Sequence, residues 1–250
     1  LGSCPATNRD YVVTVYPRPV VITPLNPSVC SGSTSGLSLS SSVIGTTFSW
    51  IASGQPGTSG FSSGSGNSIN QTLINSTISP ATVTYTITPR ANGCDGSPVN
   101  LVVTVNPIPI ITNSPLSTSI CSGTLTNIIL TSNVAGTTFD WTEVSHSDIS
   151  GASAGSGSTI AQTLTNSGIL AQIVTYTITP HANGCAGTPM DFIVTVNPTP
   201  VITTSPLSDT FCSGTSTSIL LTSTVASTNF SWTANGPAFI TGFSGGVGTS

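Results

Sequence analysis

Val83-Thr84-Tyr85-Thr86-Ile87-Thr88-Pro89 returns letter for letter as Val174-Thr175-Tyr176-Thr177-Ile178-Thr179-Pro180. Apolar or aromatic residues alternate with threonines in both copies. That period of two predicts a half-buried antiparallel strand, with one face in a core and the other in water. The same step of about 91 residues separates Trp50, Trp141 and Trp232. It also separates Cys30, Cys121 and Cys212, each of which opens a Cys-Ser-Gly triplet. Cys94 and Cys185 each close an Ala-Asn-Gly-Cys run. Val12-Val13-Thr14-Val15 comes back as Val102–Val105 and Ile193–Val196, and a proline pair follows each copy. Recurrence at one fixed spacing is the signature of a tandem array.

The phase of the motifs sets the expected divisions. Residues 1–17 read as the C-terminal strand of a preceding repeat, 18–107 and 108–198 as complete repeats, and 199–250 as the N-terminal part of a further one. The chain is therefore expected to be an excerpt of a longer array. Within the second copy, strands are predicted at 108–112, 127–132, 137–144, 159–165, 173–179 and 191–196. A turn-rich stretch is expected through Cys121-Ser-Gly, and a Gly/Ser loop at 145–158. Six or seven short strands in about 90 residues fit a β-sandwich. Trp141 falls on the third strand, where an immunoglobulin-type domain carries its core Trp, and Tyr176 precedes an inward aliphatic in the manner of a tyrosine corner. Trp50, Trp141, Trp232, Tyr85 and Tyr176 are thus expected as core markers. The inter-sheet disulfide of that fold is missing, because Ile87 and Ile178 occupy its inward position.

Composition narrows the function classes. Only 4% of residues are charged, against about 25% in ordinary globular proteins. There is no lysine, and Arg9, Arg18 and Arg90 are the only basic residues apart from two histidines, so a row of phosphates could not be neutralised. No apolar run approaches the roughly 18 residues of a spanning helix. Aromatics make up 6% of the chain and do not form girdles, so a membrane-spanning barrel is not expected. About a third of the residues are Ser or Thr, but 37% are hydrophobic, enough to build a core rather than a disordered chain.

The six cysteines recur with the repeat and read as structural disulfides of an oxidising compartment. The first expectation is pairing within a repeat, Cys30 with Cys94 and Cys121 with Cys185, which leaves Cys4 and Cys212 without partners and is favoured if the segment before each Cys-Ser-Gly folds back along the sandwich. A strict immunoglobulin order would put those within-repeat cysteines at opposite ends of the sandwich, beyond the roughly 7 Å that a disulfide spans. In that case Cys30 would meet Cys185 across a joint, and both arrangements are open at this point. Either bridge would add roughly 3–5 kcal/mol.

No cofactor or metal is expected. Zinc would need close Cys pairs, and His occurs only at 146 and 181, where surface positions are the simpler reading. The proline-rich joints carry no acid for calcium. Gly-x-Ser-x-Gly occurs at 60–64, 151–155 and 242–246. A nucleophile elbow needs a following helix, a His and an acid, and this motif recurs as a loop, so no catalytic residue is assigned. Glu143 and Asp140 lie on opposite faces of one strand and are expected to be exposed. Asn70, Asn75 and Asn229 head Asn-x-Ser/Thr triplets that arise by chance in so polar a chain.

Taken together, the Cys-Ser-Gly triplet, the Trp strand, Tyr-Thr-Ile-Thr-Pro, Ala-Asn-Gly-Cys and Val-Thr-Val-Asn-Pro-x-Pro resemble the PKD-like and immunoglobulin-like repeats of giant secreted Bacteroidota surface proteins, among them gliding-motility-associated adhesins exported by the type IX system. The resemblance implies a non-catalytic stalk or adhesive filament on the cell surface. Its expected partners are neighbouring repeats, carbohydrate or abiotic surfaces, and other copies in a filament. A carbohydrate-binding array of a secreted enzyme and a self-assembling sheath subunit are the alternatives.

Overall fold

The computed structural model describes residues 7–249. All regular structure is β, and no helix occurs among the described residues. The chain divides into two compact units. The first holds the residues through Pro109 together with Val134–Gly136 and Ala182–Ala186; the second holds Ile110–Asn133, Thr137–His181 and Gly187 onward.

The main sheet of the first unit is built on Ala81–Ala91, the strand predicted from the repeated heptapeptide. Val83, Tyr85 and Ile87 are fully buried, while the intervening threonines sit half in water. Val99–Asn106 pairs with it antiparallel, placing Leu101 opposite Tyr85 and Val103 opposite Val83. On the other side Thr47–Gly54 sets Trp50 opposite Ile87. Asn92 and Gly93, at φ +49° and +79°, make the two-residue turn into Cys94–Asp95. Such a turn needs positive φ at both positions, which Asn and Gly tolerate best. Short strands Ser33–Thr34, Thr72–Asn75 and Thr58–Ser59 form one facing sheet, and Leu37–Ser38 pairs with Ser68–Ile69. Ile69 and Leu73 close the core from that side, with no exposed surface.

The second unit repeats the plan. Gln172–Ala182 lies between Met190–Asn197 and Thr138–Ser145, and Trp141 faces Ile178. Trp141, Tyr176, Ile160 and Leu164 belong to one buried cluster.

Three expectations are corrected. The stretch before Cys-Ser-Gly is a strand in both repeats: Ser28–Cys30 runs parallel to Val99–Asn106, and Ser117–Cys121 runs parallel to Met190–Asn197. It runs for only three and five residues, too short for a hydrophobic period to reveal it. Val12, Val13 and Val15 form no strand and are largely exposed. Their copies at 102–105 owe their order to pairing with Ala81–Ala91, and the described residues offer 12–15 no such partner. Trp232 is 43% exposed rather than core. Among the described residues its strand Asn229–Trp232 pairs only with Gly246–Thr249, and no strand plays the part of Ala81–Ala91 beside it.

Candidate functional site

The repeated motifs converge on two places. One is a polar clamp inside each sandwich. The Trp50 indole Nε1–H donates to Ser62 O at 3.1 Å, and the Tyr85 hydroxyl donates to Gln71 Oε1 at 2.8 Å. Gln71 Nε2 donates in turn to Ser62 O (2.8 Å) and Ser62 Oγ (2.9 Å), and Ser62 N–H donates to Gln71 Oε1. Trp141, Ser153, Gln162 and Tyr176 repeat the arrangement within about 0.2 Å.

Ser62 and Ser153 are the central serines of Gly-x-Ser-x-Gly, so this motif ties the indole and phenol of the core to a loop. Its glycines have separate reasons. A Cβ on Gly60 (φ +84°) would lie 1.9 Å from Thr72 O, and one on Gly64 would lie 2.9 Å from Trp50 Cζ2. The Gln is the member that sequence reasoning missed; its recurrence at 71 and 162 was the available signal.

Burial pushes the Tyr85 phenol from 10 up to about 12. Tyr176 rises equally, through burial first and the nearby Glu143 carboxylate second. Because the folded pKa exceeds the unfolded one, the stabilisation is complete below pH 10 and is lost as pH climbs toward 12. The melting temperature is therefore expected to stay level up to about pH 10 and then to fall, in step with phenolate absorbance.

Asn75 and Asn166 form the second buried polar station. Asn75 Nδ2 donates to Val105 O and Ser79 O, both at 2.8 Å, and its Oδ1 accepts from Thr77 N and Thr77 Oγ1. Although Asn75 heads an Asn-x-Thr triplet, its amide is committed to the interior. Glu143 also departs from expectation: it turns inward beside Tyr176, and its Oε2 is buried without a hydrogen-bond partner. Asp140 stays on the outer face, paired with His181, while His146 pairs with Asp148.

The other place is the cysteine pair. Cys30 is bonded to Cys185, with Cα atoms 5.7 Å apart, and both belong to the first compact unit. The within-repeat pairs Cys30–Cys94 and Cys121–Cys185 are not formed. The parallel strand explains why. Cys30 stands in register with Asn106, at the Ala81 end of the sheet, whereas Cys94 lies past the Ala91 end. Ten strand residues at about 3.3 Å each separate those ends, several times a disulfide's reach. Cys94 is free and partly exposed; Cys121 and Cys212 are free and exposed. Cys4 lies outside the described residues. Among the described residues no three His, Cys, Asp or Glu side chains gather into a metal-holding group, and no helix is long and apolar enough to cross a membrane.

Two sheets face to face, with a Trp on one long strand and a Tyr on the long antiparallel strand paired to it, define immunoglobulin-like repeats. More narrowly, the chain belongs to the PKD-like domain family, whose model matches residues 27–109 and 118–200. Solved structures similar to it include DIP-gamma IG1+IG2, at 9% identity over 73% of this chain and 98% of that one, TM-score 0.34. Mouse cadherin-23 EC22-24 shares 11% identity over 88% of this chain and 83% of that one, TM-score 0.36. Clostridium thermocellum CbhA fibronectin(III)-like modules share 11% identity over 72% of this chain and 94% of that one, TM-score 0.29. No match was found among curated proteins.

Proposed function

We propose that this chain is part of a non-catalytic structural array, an extracellular stalk or adhesive filament of a bacterial surface protein of the Bacteroidota type. The observation that carries this reading is the use to which the repeated polar residues are put. Ser62, Gln71 and Tyr85, and their copies 91 residues on, hold the sandwich together rather than lining a cleft. A motif repeated in order to fold serves length and stiffness. The disulfide supports an oxidising compartment. Outer strand faces of Thr, Ser and Asn offer hydrogen bonds without charge, which suits contact with carbohydrate or abiotic surfaces.

Electron microscopy of the chain and of tandem multiples of it tests the reading. Particle length should grow by roughly 40 Å per added repeat, set by strands rising about 3.3 Å per residue. Compact particles of constant length would overturn it. A carbohydrate-binding array would instead present aromatic platforms, yet Trp50 and Trp141 are 7% and 6% exposed. Binding of glycans with quenching of those two indoles would favour that alternative.

A further inference from the structure

We propose that Cys30–Cys185 is one link of a covalent series: the Cys-Ser-Gly cysteine of each repeat is a socket, and the Asn-Gly-Cys turn of the repeat that follows is its plug. Cys121 is then a second socket and Cys94 a second plug, each matched to a further repeat of the same kind. The proposal rests on the array reading and adds to it how successive repeats are joined.

The equivalence goes beyond sequence. Cys30 stands in parallel register with Asn106, and Cys121 with Asn197. Ser31 N–H donates to Asn106 O at 2.8 Å, and Ser122 N–H donates to Asn197 O at the same distance. The next glycine turns at φ +81° in both and donates to the sheet that the chain enters at the following residue, Gly32 to Leu73 O and Gly123 to Leu164 O. The two plugs also match. Asn92 and Gly93 have φ +49° and +79°; Asn183 and Gly184 have +52° and +78°.

Filled and unfilled states differ at a second residue. Where the bond exists, Asn106 Nδ2 donates at 3.0 Å to Asn183 O, in the turn that carries Cys185, and Asn106 is buried. Asn197, its copy beside Cys121, is folded back onto its own repeat, donating to Ser119 Oγ and Ile120 O. Cys185 is 1% exposed in its bond, while its copy Cys94 is partly exposed and free. A socket therefore consists of a cysteine and an asparagine amide, and a plug of a cysteine and a turn carbonyl.

The chemistry balances as thiol–disulfide exchange. The socket thiolate attacks a small disulfide oxidant and releases one thiol. The plug thiolate then attacks the mixed disulfide and releases the second thiol. Two protons leave the protein thiols, and two electrons pass to the oxidant.

The test uses the whole 250-residue chain and the same chain lengthened by inserting a second copy of residues 108–198 after Pro198. Both are equilibrated with glutathione disulfide in an excess of reduced glutathione, which strips mixed disulfides from cysteines that have no protein partner, then alkylated and mapped by mass spectrometry without reduction. The original chain should yield the Cys30–Cys185 peptide, with Cys94 and Cys121 alkylated. In the lengthened chain the added copy carries Cys121→Ala and, to match Asp95, Ala186→Asp, so that the peptides of the two copies differ in mass. This chain should keep the Cys30–Cys185 bridge and gain one from Cys121 to the added copy of Cys185, so that Cys121 is no longer alkylated. C121A in the original repeat as well should remove the new bridge alone. Retention of Cys30–Cys185 reports that the sandwiches have folded. Cys121 bonded to Cys185 of its own repeat, or alkylated beside an intact Cys30–Cys185 bridge, overturns the proposal. Microscopy of the same sample separates the two readings: a longer particle with Cys121 alkylated sinks the staple and spares the array.

Discussion

Replacing Gly151 by alanine should lower the stability of the second sandwich by about 3 kcal/mol or more. Two costs add. A left-handed backbone disfavours any Cβ by roughly 1–2 kcal/mol, and the φ here is +91°. The added Cβ would also lie 2.0 Å from Thr163 O, a backbone atom that cannot swing away. Forcing such an overlap apart costs typically about 1–3 kcal/mol. The movement would pull Ser153 off Trp141 Nε1 and Gln162, so the clamp fails together with the loop. Urea denaturation should show the midpoint falling with its slope unchanged, as expected for lost stability. Ala154→Ser, which copies Ser63 of the first repeat, should shift stability by no more than about 0.5 kcal/mol. If G151A proved silent, the serine motif would be an ordinary loop and the clamp incidental.

Asn166→Leu should cost a similar amount by a different route. Asn166 Nδ2 donates to Val196 O and Leu170 O at 2.8 Å, and its Oδ1 accepts from Gly168 N–H at 2.9 Å. Leucine fills much the same volume and makes none of these bonds, so two carbonyls and one N–H lose their partner. A buried group left unsatisfied costs about 1–3 kcal/mol, and not every orphan here stays dry, so a total near 3 kcal/mol is expected. Asn166→Asp discriminates further. An ionised carboxylate would turn an oxygen toward both carbonyls, so at neutral pH aspartate should do worse than leucine. Thermal unfolding of the two variants measures the order. The reverse order would mean that side-chain volume, not hydrogen bonding, holds this corner.

The two variants probe what replaces the inter-sheet disulfide of immunoglobulin domains. Ile87 and Ile178 occupy its position opposite the tryptophans and contribute only packing. Directional restraint comes from Asn75 and Asn166, whose amides reach from one sheet to a carbonyl of the other, and from the clamp on Trp and Tyr. The one disulfide among the described residues serves another purpose, because it joins cysteines 155 residues apart.

What could be read in advance followed from periodicity. Alternation of Val, Tyr and Ile with Thr between them places side chains on two faces by strand geometry alone, and Tyr85 and Tyr176 are buried where that alternation puts them. Ser28–Cys30 and Ser117–Cys121 are too short to show such a pattern; each is held by its neighbour's backbone and by one apolar side chain, Val29 or Ile120, set against the core. With those strands unread, the sandwich end at which Cys30 sits stayed open, and with it the cysteine pairing. Glu143 was misplaced for a related reason: alternation assigns it a face, but only the packing around Tyr176 decides whether that face holds water.

The sequence by itself determined the all-β class, the 91-residue step and the inward residues of the long strands, since these depend on local geometry and copying. Tertiary structure alone decided which cysteines meet, what the serine of the glycine-flanked loop holds, and whether Trp232 or Val12–Val15 are covered. Each of those turns on a partner in another element, from nine residues away for the serine to 155 for the disulfide. A strand or an indole is buried only when another strand lies against it.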